Sequence, residues 1–205
     1  MVETYPVMMN MENKAVVVVG GGHVAYRKIV GLVRAGAIIT IISPVLHEKI
    51  KKLQGTNQII WKNKLFEPED LQNTLLVIAA TNDKRVNEHV ASSTESYQLV
   101  NIVDDQDKSD FHVPAKLTRG DLTIAVATGG ASPTLATVIR DELAEIYDES
   151  YDDYLQFLAA SREKIKYLHL DQDLKKQMLK QITDSIYRKS KNKQKEFLEK
   201  ISRYI

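Results

Sequence analysis

A β-branched run, Val16-Val17-Val18-Val19, follows Ala15 and ends directly in three glycines, Gly20-Gly21-Gly22. No other feature of the 205 residues restricts the fold as strongly. An apolar run without alternation belongs to a strand buried on both faces, as in a parallel sheet. The glycines let the backbone turn sharply. The pattern after them is helical, with Val24, Ile29, Val30, Leu32 and Val33 interleaved with Arg27, Lys28 and Arg34. Gly36 is the expected helix C-terminus.

The alternation then repeats. Residues 38–42 read as a second strand, and Pro44 stops it and is expected to open a helix through Leu46, Ile50 and Leu53. Gly55-Thr56-Asn57 reads as a turn, 58–62 as a short strand and 75–80 as another buried strand. Thr81-Asn82-Asp83 leads into a helix to about residue 95, and 98–103 is the fifth strand. Strands alternating with helices imply right-handed crossovers and a parallel sheet covered on both faces. Apolar residues at 43% supply a sizeable core.

Beyond residue 110 the pattern changes. Residues 111–117 and 122–127 read as an antiparallel hairpin joined by Thr118-Arg119-Gly120-Asp121. Thr128-Gly129-Gly130-Ala131-Ser132-Pro133 is a second glycine-containing loop, with Ser132 as N-cap and Pro133 opening a helix to about residue 147. From Tyr151 onward the chain is charged and helical, with apolar stripes at Tyr154, Phe157, Leu158, Ile165 and Leu168, at Leu174, Met178, Ile182 and Ile186, and at Phe197, Leu198 and Ile201. These stripes suit packing on one another, on the first part of the chain, on a second copy, or on a partner for which the tail is a scaffold. The expected organisation is three parts: a nucleotide-binding domain at 1–110, a hairpin-and-helix region at 111–148, and a C-terminal helical domain at 149–205.

Charge and composition exclude several classes. Twenty-eight Lys and Arg against 27 Asp and Glu give a net charge of +1, which offers nothing to a dedicated nucleic-acid binder. The chain has no cysteine, so disulfides, cysteine-based zinc sites and thiol nucleophiles are excluded. No apolar stretch is long enough for a membrane helix, and the start, Met1-Val2-Glu3-Thr4-Tyr5-Pro6, lacks the basic region of a secretion signal. A cytoplasmic protein is expected. His23, His47, His89 and His169 show no metal-ligand spacing, so no permanent metal site is expected.

Gly20-Gly21-Gly22-His23-Val24-Ala25 fits G-x-G-x-x-[GA] in its confirming context, after a strand and at the start of a helix. Gly20 permits the tight turn, Gly22 lets backbone approach a pyrophosphate at the helix N-terminus, and Ala25 allows close helix–strand packing. The fold class is therefore α/β, a Rossmann-type parallel sheet with an added β-hairpin and a C-terminal α-helical region. The acid that usually holds the adenosine ribose is missing. The second strand ends at Ser43-Pro44-Val45, the nearest acid is Glu48, and no Arg is placed for a 2′-phosphate. The expected cofactor is NAD, with Ser43 bonding the ribose in place of a carboxylate and His23, Val24 and Pro44 beside it.

With those residues in view, the chain resembles the precorrin-2 dehydrogenase family, the dehydrogenase/ferrochelatase part of siroheme synthases in stand-alone form. The resemblance spans residues 6–143 and rests on five signatures in order. These are Val19-Gly20-Gly21-Gly22 with Val24-Ala25 and Arg27-Lys28; Ala79-Ala80-Thr81-Asn82-Asp83; Asn101-Ile102-Val103-Asp104; Phe111 with Pro114; and Gly129-Gly130-Ala131-Ser132-Pro133. Thr128 stands where many relatives have serine, and it keeps the hydroxyl. The resemblance implies a two-electron oxidation of precorrin-2 to sirohydrochlorin, with NAD accepting the hydride. In some members the same region also inserts iron, so ferrochelatase activity is the fuller form of the expectation. It further implies a homodimer built by the hairpin region, and a tetrapyrrole pocket between that region and the nucleotide domain. The other reading of the glycine loop is a nucleotide-sensing module without catalysis.

The residues singled out follow from both arguments. Asp104, just after the fifth strand, matches the family's functional aspartate and is the expected general base. As a bare sequence feature it also suits a turn, with Asp105, Asp107 and Asp110 nearby. Thr81 and Asn82 follow the fourth strand and are expected to line the nicotinamide side of the cofactor site, although Asn82 or Asp83 also suits a helix cap. For the polycarboxylate substrate the candidates are Asn101, His112, Lys116, Arg119, Gly129 and Ser132, with Arg140 a further cation.

Overall fold

The computed structural model describes residues 4–202 except Gln54 and Thr56. Thr56 of the expected turn, residues 1–3 of the expected leaderless start, and 203–205 of the expected tail lie outside the described residues. The chain forms two compact units, Met1–Val113 and Pro114–Ile205.

The first unit is a five-stranded sheet. Its strands are β1 (Ala15–Val19), β2 (Ile38–Ile42), β3 (Ile59–Lys62), β4 (Leu76–Ala79) and β5 (Leu99–Ile102). They lie in the order β3-β2-β1-β4-β5, all parallel. The order reverses between β1 and β4, the switch point where open α/β sheets place a ligand. Side-chain parity explains the apolar run. Val16 and Val18 enter one core with helix α1 (His23–Arg34) and the short helix α2 (Glu48–Lys51), while Val17 and Val19 enter a second core with helix α3 (Lys84–Ser92). Both faces are covered, so neither parity can be polar.

Two helices differ from the sequence pattern. The helix expected to open at Pro44 begins only at Glu48, where His47 Nδ1 accepts from Lys49 N at 3.1 Å. Leu46 and Ile50 are buried as their spacing requires, but residues 44–47 reach the core as a loop held by Ser43 Oγ on Val45 O and by His47 N on Gly21 O. α3 ends at Ser92 rather than near 95, because Ser92 and Ser93 hydroxyls donate back to His89 O and Thr94 to Ala91 O.

The second unit pairs β6 (Ala115–Arg119) with β7 (Leu122–Val126) antiparallel, with Gly120 in the turn at φ 52°. The first hairpin strand starts at Ala115, not Phe111: Phe111 packs on the first unit's core and Pro114 has no N–H to donate. α4 (Pro133–Ile146) packs on the hairpin. Helices α5 (Ser150–Tyr167), α6 (Gln172–Gln181), α7 (Ser185–Lys189) and α8 (Lys191–Ser202) share one core built from Tyr154, Phe157, Ile165, Leu168, Ile182, Tyr187, Phe197 and Ile201. The tail stripes therefore pack on one another. Leu174 and Ile186 of the second stripe stay about half exposed. Among the described residues no helix is long and apolar enough to cross a membrane.

One buried charge ties the far edge of the sheet. Asp70, 7% exposed in the turn Pro68–Leu71, accepts from Lys62 Nζ at 3.0 Å and from Glu67 N at 3.1 Å, with Lys64 Nζ at 3.1 Å. Burial pushes its carboxyl up, but the two ammoniums and the Glu67 N–H together hold it below the usual value. A depressed folded-state pKa stabilises above the unfolded carboxylate value and loses that contribution as pH falls through the folded one. Asp70→Asn is therefore expected to flatten the loss of stability that the wild-type chain shows below about pH 4. Urea midpoints against pH check this; parallel curves for the two chains would exclude Asp70 as the group.

Candidate active site

The carboxyl ends of β1, β4 and β5 lie side by side, and each carries a loop with chemistry. β1 runs into the glycine loop. Gly20 has φ 118°, and a Cβ there would sit 2.3 Å from Ala80 O at the end of β4. Gly21 is as tightly constrained: a Cβ would meet Val45 O at 2.1 Å and Ser43 Oγ at 2.8 Å. Gly22 differs. No atom lies within 4 Å of where its Cβ would be, and it is the N-cap of α1 with no side-chain cap and no acid in the first turn. Ala25 is fully buried at the foot of the helix. A tight turn, an open glycine and uncapped helix N–H groups together fit a pyrophosphate. His23 is exposed, as is Val24 at 44%.

The β2 end supplies the neighbouring elbow. Ser43 is buried, its hydroxyl donates to Val45 O at 2.7 Å, and its carbonyl accepts from Trp61 Nε1 at 2.9 Å. A ribose hydroxyl would meet Ser43 Oγ as an acceptor only. Pro44 is exposed beside it. The rings of His23 and His47 stand 6.0 Å apart, and Tyr26 stacks on His47 at 6.1 Å.

The loop after β4 is held by a residue that belongs to none of the sequence motifs. Asn87 of α3 is fully buried. Its Oδ1 accepts from Thr81 N at 3.1 Å and from Thr81 Oγ1 at 2.8 Å. Its Nδ2 donates to Thr81 O at 3.1 Å and to Asp104 Oδ1 at 2.9 Å. Asp83 caps α3 by accepting from Arg85 N at 2.9 Å, which leaves Asn82 exposed and uninvolved in the cap. The one available signal for Asn87 was an amide at a helix position whose spacing with Val90 is that of a buried face.

Asp104 stands apart from its acidic neighbours. Asp105 accepts from Lys108 N, and Asp110 accepts from Val100 N at 2.8 Å, so both serve the turn. Asp104 is exposed, with one oxygen on Asn87. Asn101 on β5 is 5% exposed, with Nδ2 donating to Phe111 O at 2.9 Å and a buried Oδ1 that has no protein partner. His112 is exposed in the segment before β6.

The remaining candidates belong to the second unit. Lys116 is exposed on the hairpin face opposite Leu117. Arg119 is largely covered, donates to Thr118 O and lies 3.3 Å from Glu149. Gly129 has φ 58° with open space at its Cβ position. Ser132 caps α4, its Oγ accepting from Leu135 N at 3.1 Å, while Thr128 Oγ1 clasps the Ser132 backbone on both sides. Arg140 is paired with Asp141.

Comparison with known proteins places this geometry. Residues 7–115 match a family model described as NAD(P)-binding, residues 119–146 one described as the central part of sirohaem biosynthesis proteins, and residues 151–197 a SirC C-terminal domain. A precorrin-2 dehydrogenase of Priestia megaterium is 38% identical over 200 residues, covering 98% of this chain and 99% of that protein. A siroheme synthase of Zymomonas mobilis is 38% identical over 162 residues, 78% of this chain but 34% of that longer protein. A solved structure titled SirC, precorrin-2 dehydrogenase, superposes with a TM-score of 0.87 at 38% identity, covering 98% of this chain and 100% of that one.

The three glycines separate stability from binding. Gly21→Ala is expected to destabilise the fold by about 1–3 kcal/mol through its clash with Val45 O. Gly22→Ala is expected to cost no more than about 1 kcal/mol yet to weaken dinucleotide binding. Urea unfolding beside a fluorescence titration with the dinucleotide reads both; equal stability losses would refute the division.

Proposed function

The chain belongs to the precorrin-2 dehydrogenase family, and on that premise we propose that it oxidises precorrin-2 to sirohydrochlorin in siroheme biosynthesis, with NAD as hydride acceptor. The observation that carries the reading is the meeting, at one sheet edge, of a glycine cradle for the dinucleotide with an exposed, oriented carboxylate two strands away.

The cofactor is a nicotinamide dinucleotide. Gly20, Gly22 and the first turn of α1 fit its pyrophosphate, and Thr81 and Asn82 fit its nicotinamide side. NAD is favoured over NADP because the nearest strand-end cation, Lys62, is drawn to Asp70 at 3.0 Å. When bound, the nicotinamide accepts a hydride from the substrate. Loss of that hydride must be matched by loss of a proton, and Asp104 accepts it: its carboxylate is exposed on one oxygen and held on the other. The products are then sirohydrochlorin, the reduced dinucleotide and one proton. Lys116 and the 129–132 loop are the proposed contacts for substrate carboxylates. Arg119 and Arg140 would have to exchange Glu149 and Asp141 for substrate.

A homodimer is part of the proposal. On α4, Leu135, Val138 and Ile146 are 50%, 46% and 61% exposed along one side of the helix, an apolar face that a second copy would cover.

The test is an anaerobic assay with enzymatically made precorrin-2 and NAD, following NADH absorbance and the sirohydrochlorin spectrum, then adding Fe²⁺ to read metal insertion. Turnover is expected in the wild-type chain. Asp104→Ala is expected to lose about 10²–10⁴-fold in rate while still binding NAD. NAD binding without any NADH would instead favour the sensing module. Size-exclusion chromatography of Val138→Glu, eluting as a monomer where the wild-type chain is a dimer, tests the α4 face.

A further inference from the structure

We propose that Asn87 is a positioning residue that sets the orientation of the Asp104 carboxylate and couples it to the cofactor loop at Thr81. The inference rests on the reading of Asp104 as the proton acceptor.

Asn87 has two donors and two acceptor lone pairs, and a partner stands within reach of each. Thr81 N and Oγ1 occupy the acceptor, and Thr81 O and Asp104 Oδ1 occupy the donors. This pattern fixes which way the amide points. Turning it over would set its oxygen against the Thr81 carbonyl and the Asp104 carboxylate, and its NH₂ against the Thr81 N–H. A donor therefore always faces Asp104. Three of the four bonds explain a structural clasp on the β4 loop. The fourth satisfies the last buried amide hydrogen, and it does so on an exposed carboxylate that water could otherwise solvate. A fully buried amide hydrogen committed to an exposed carboxylate fixes that carboxylate's direction and leaves its other oxygen free to take a proton.

The same amide makes the coupling to Thr81. The Thr81 hydroxyl has one hydrogen and two acceptors in reach, Asp83 O at 2.9 Å and Asn87 Oδ1 at 2.8 Å. A ligand that claims the Thr81 hydroxyl changes what Asn87 accepts, and Asn87 is bonded directly to Asp104. Other charges lie on the elements around Asp104. On α3 and its cap these are Asp83, Lys84, Arg85 and Glu88; on the loop after β5 they are Asp105, Asp107, Lys108 and Asp110. Lys108 bridges the two elements, at 2.9 Å from Glu88 and 3.6 Å from Asp105, so it braces the loop independently of Asn87.

The experiment compares the pH dependence of kcat/KM for precorrin-2 in the full-length wild-type chain, Asn87→Asp, Asn87→Ala and Asp104→Asn. Asn87→Asp sets a carboxyl where the amide donor was, so the acid limb is expected to move up by about one pH unit or more, a loss of about ten-fold at low pH that recovers at high pH. Asn87→Ala removes the donor without adding charge and is expected to move the limb up by less; a residue that only held the fold would, in that variant, lower the rate at every pH without moving the limb. A limb that stays at its wild-type pH overturns the positioning role, provided Asp104→Asn is inactive. If Asp104→Asn still turns over, the reading of Asp104 fails, whatever Asn87 does. Should Asn87→Asp not fold, NMR on the intact chain decides. The Asn87 side-chain ¹⁵Nδ2 signal is expected to titrate with acid in the wild-type chain and to lose that step in Asp104→Asn. A signal insensitive to Asp104 overturns the proposal.

Discussion

The close approach of backbones at the end of β1 governs the rest of the first unit. A Cβ on Gly20 would lie 2.3 Å from the Ala80 carbonyl, and one on Gly21 2.1 Å from the Val45 carbonyl. With glycine at both positions, β1 can be flanked at its exit by the loop after β4 on one side and the elbow after β2 on the other. Hydrogen bonds close the joint: Gly20 N to Ile42 O, Ala80 N to Val19 O and His47 N to Gly21 O. Any side chain here would pry three strand ends apart, and the loops they carry would no longer share one edge.

Once that edge is formed, polar groups divide by burial. Most buried amides and hydroxyls are tied to nearby backbone, as Asn87 and Ser43 show, and they give shape rather than chemistry. Exposed groups with one fixed contact keep capacity for a ligand. Asp104 is of this kind, while Asp105 and Asp110 are consumed by the turn. The distinction is energetic. A buried polar group without a partner costs about 1–3 kcal/mol, so the protein completes those first. Among the described residues, Asn101 Oδ1 on β5 and Ser161 Oγ on α5 are exceptions.

The second unit solves a different problem. Three of the tail helices, α6, α7 and α8, are at most 12 residues long, too short to be stable alone in water, and α5 carries only a narrow apolar stripe. Together they bury an aromatic core in which Phe157 stacks on Tyr187 at 5.8 Å and meets Phe197 edge-on at 6.1 Å. The hairpin and α4 leave apolar side chains outside that core, which is why oligomerisation enters the proposed function through α4 and not through the tail.

The sequence by itself determined the parallel sheet, its five strands, the glycine cradle and the position of Asp104 at a strand end. Each follows from a local rule: a β-branched run, glycine geometry, or the period of apolar residues. The elbow at residues 44–47 and the early end of α3 were not legible, since hydroxyl and carbonyl pairings outweigh helix periodicity there. The start of β6 at Ala115 was hidden for a similar reason, because Phe111 belongs to the first unit's core. Asn87 was the largest omission. Its amide joins Thr81, six residues away, to Asp104, seventeen residues away. Only the packing of α3 against the sheet brings those groups within hydrogen-bonding distance, so its role was decided by tertiary structure alone.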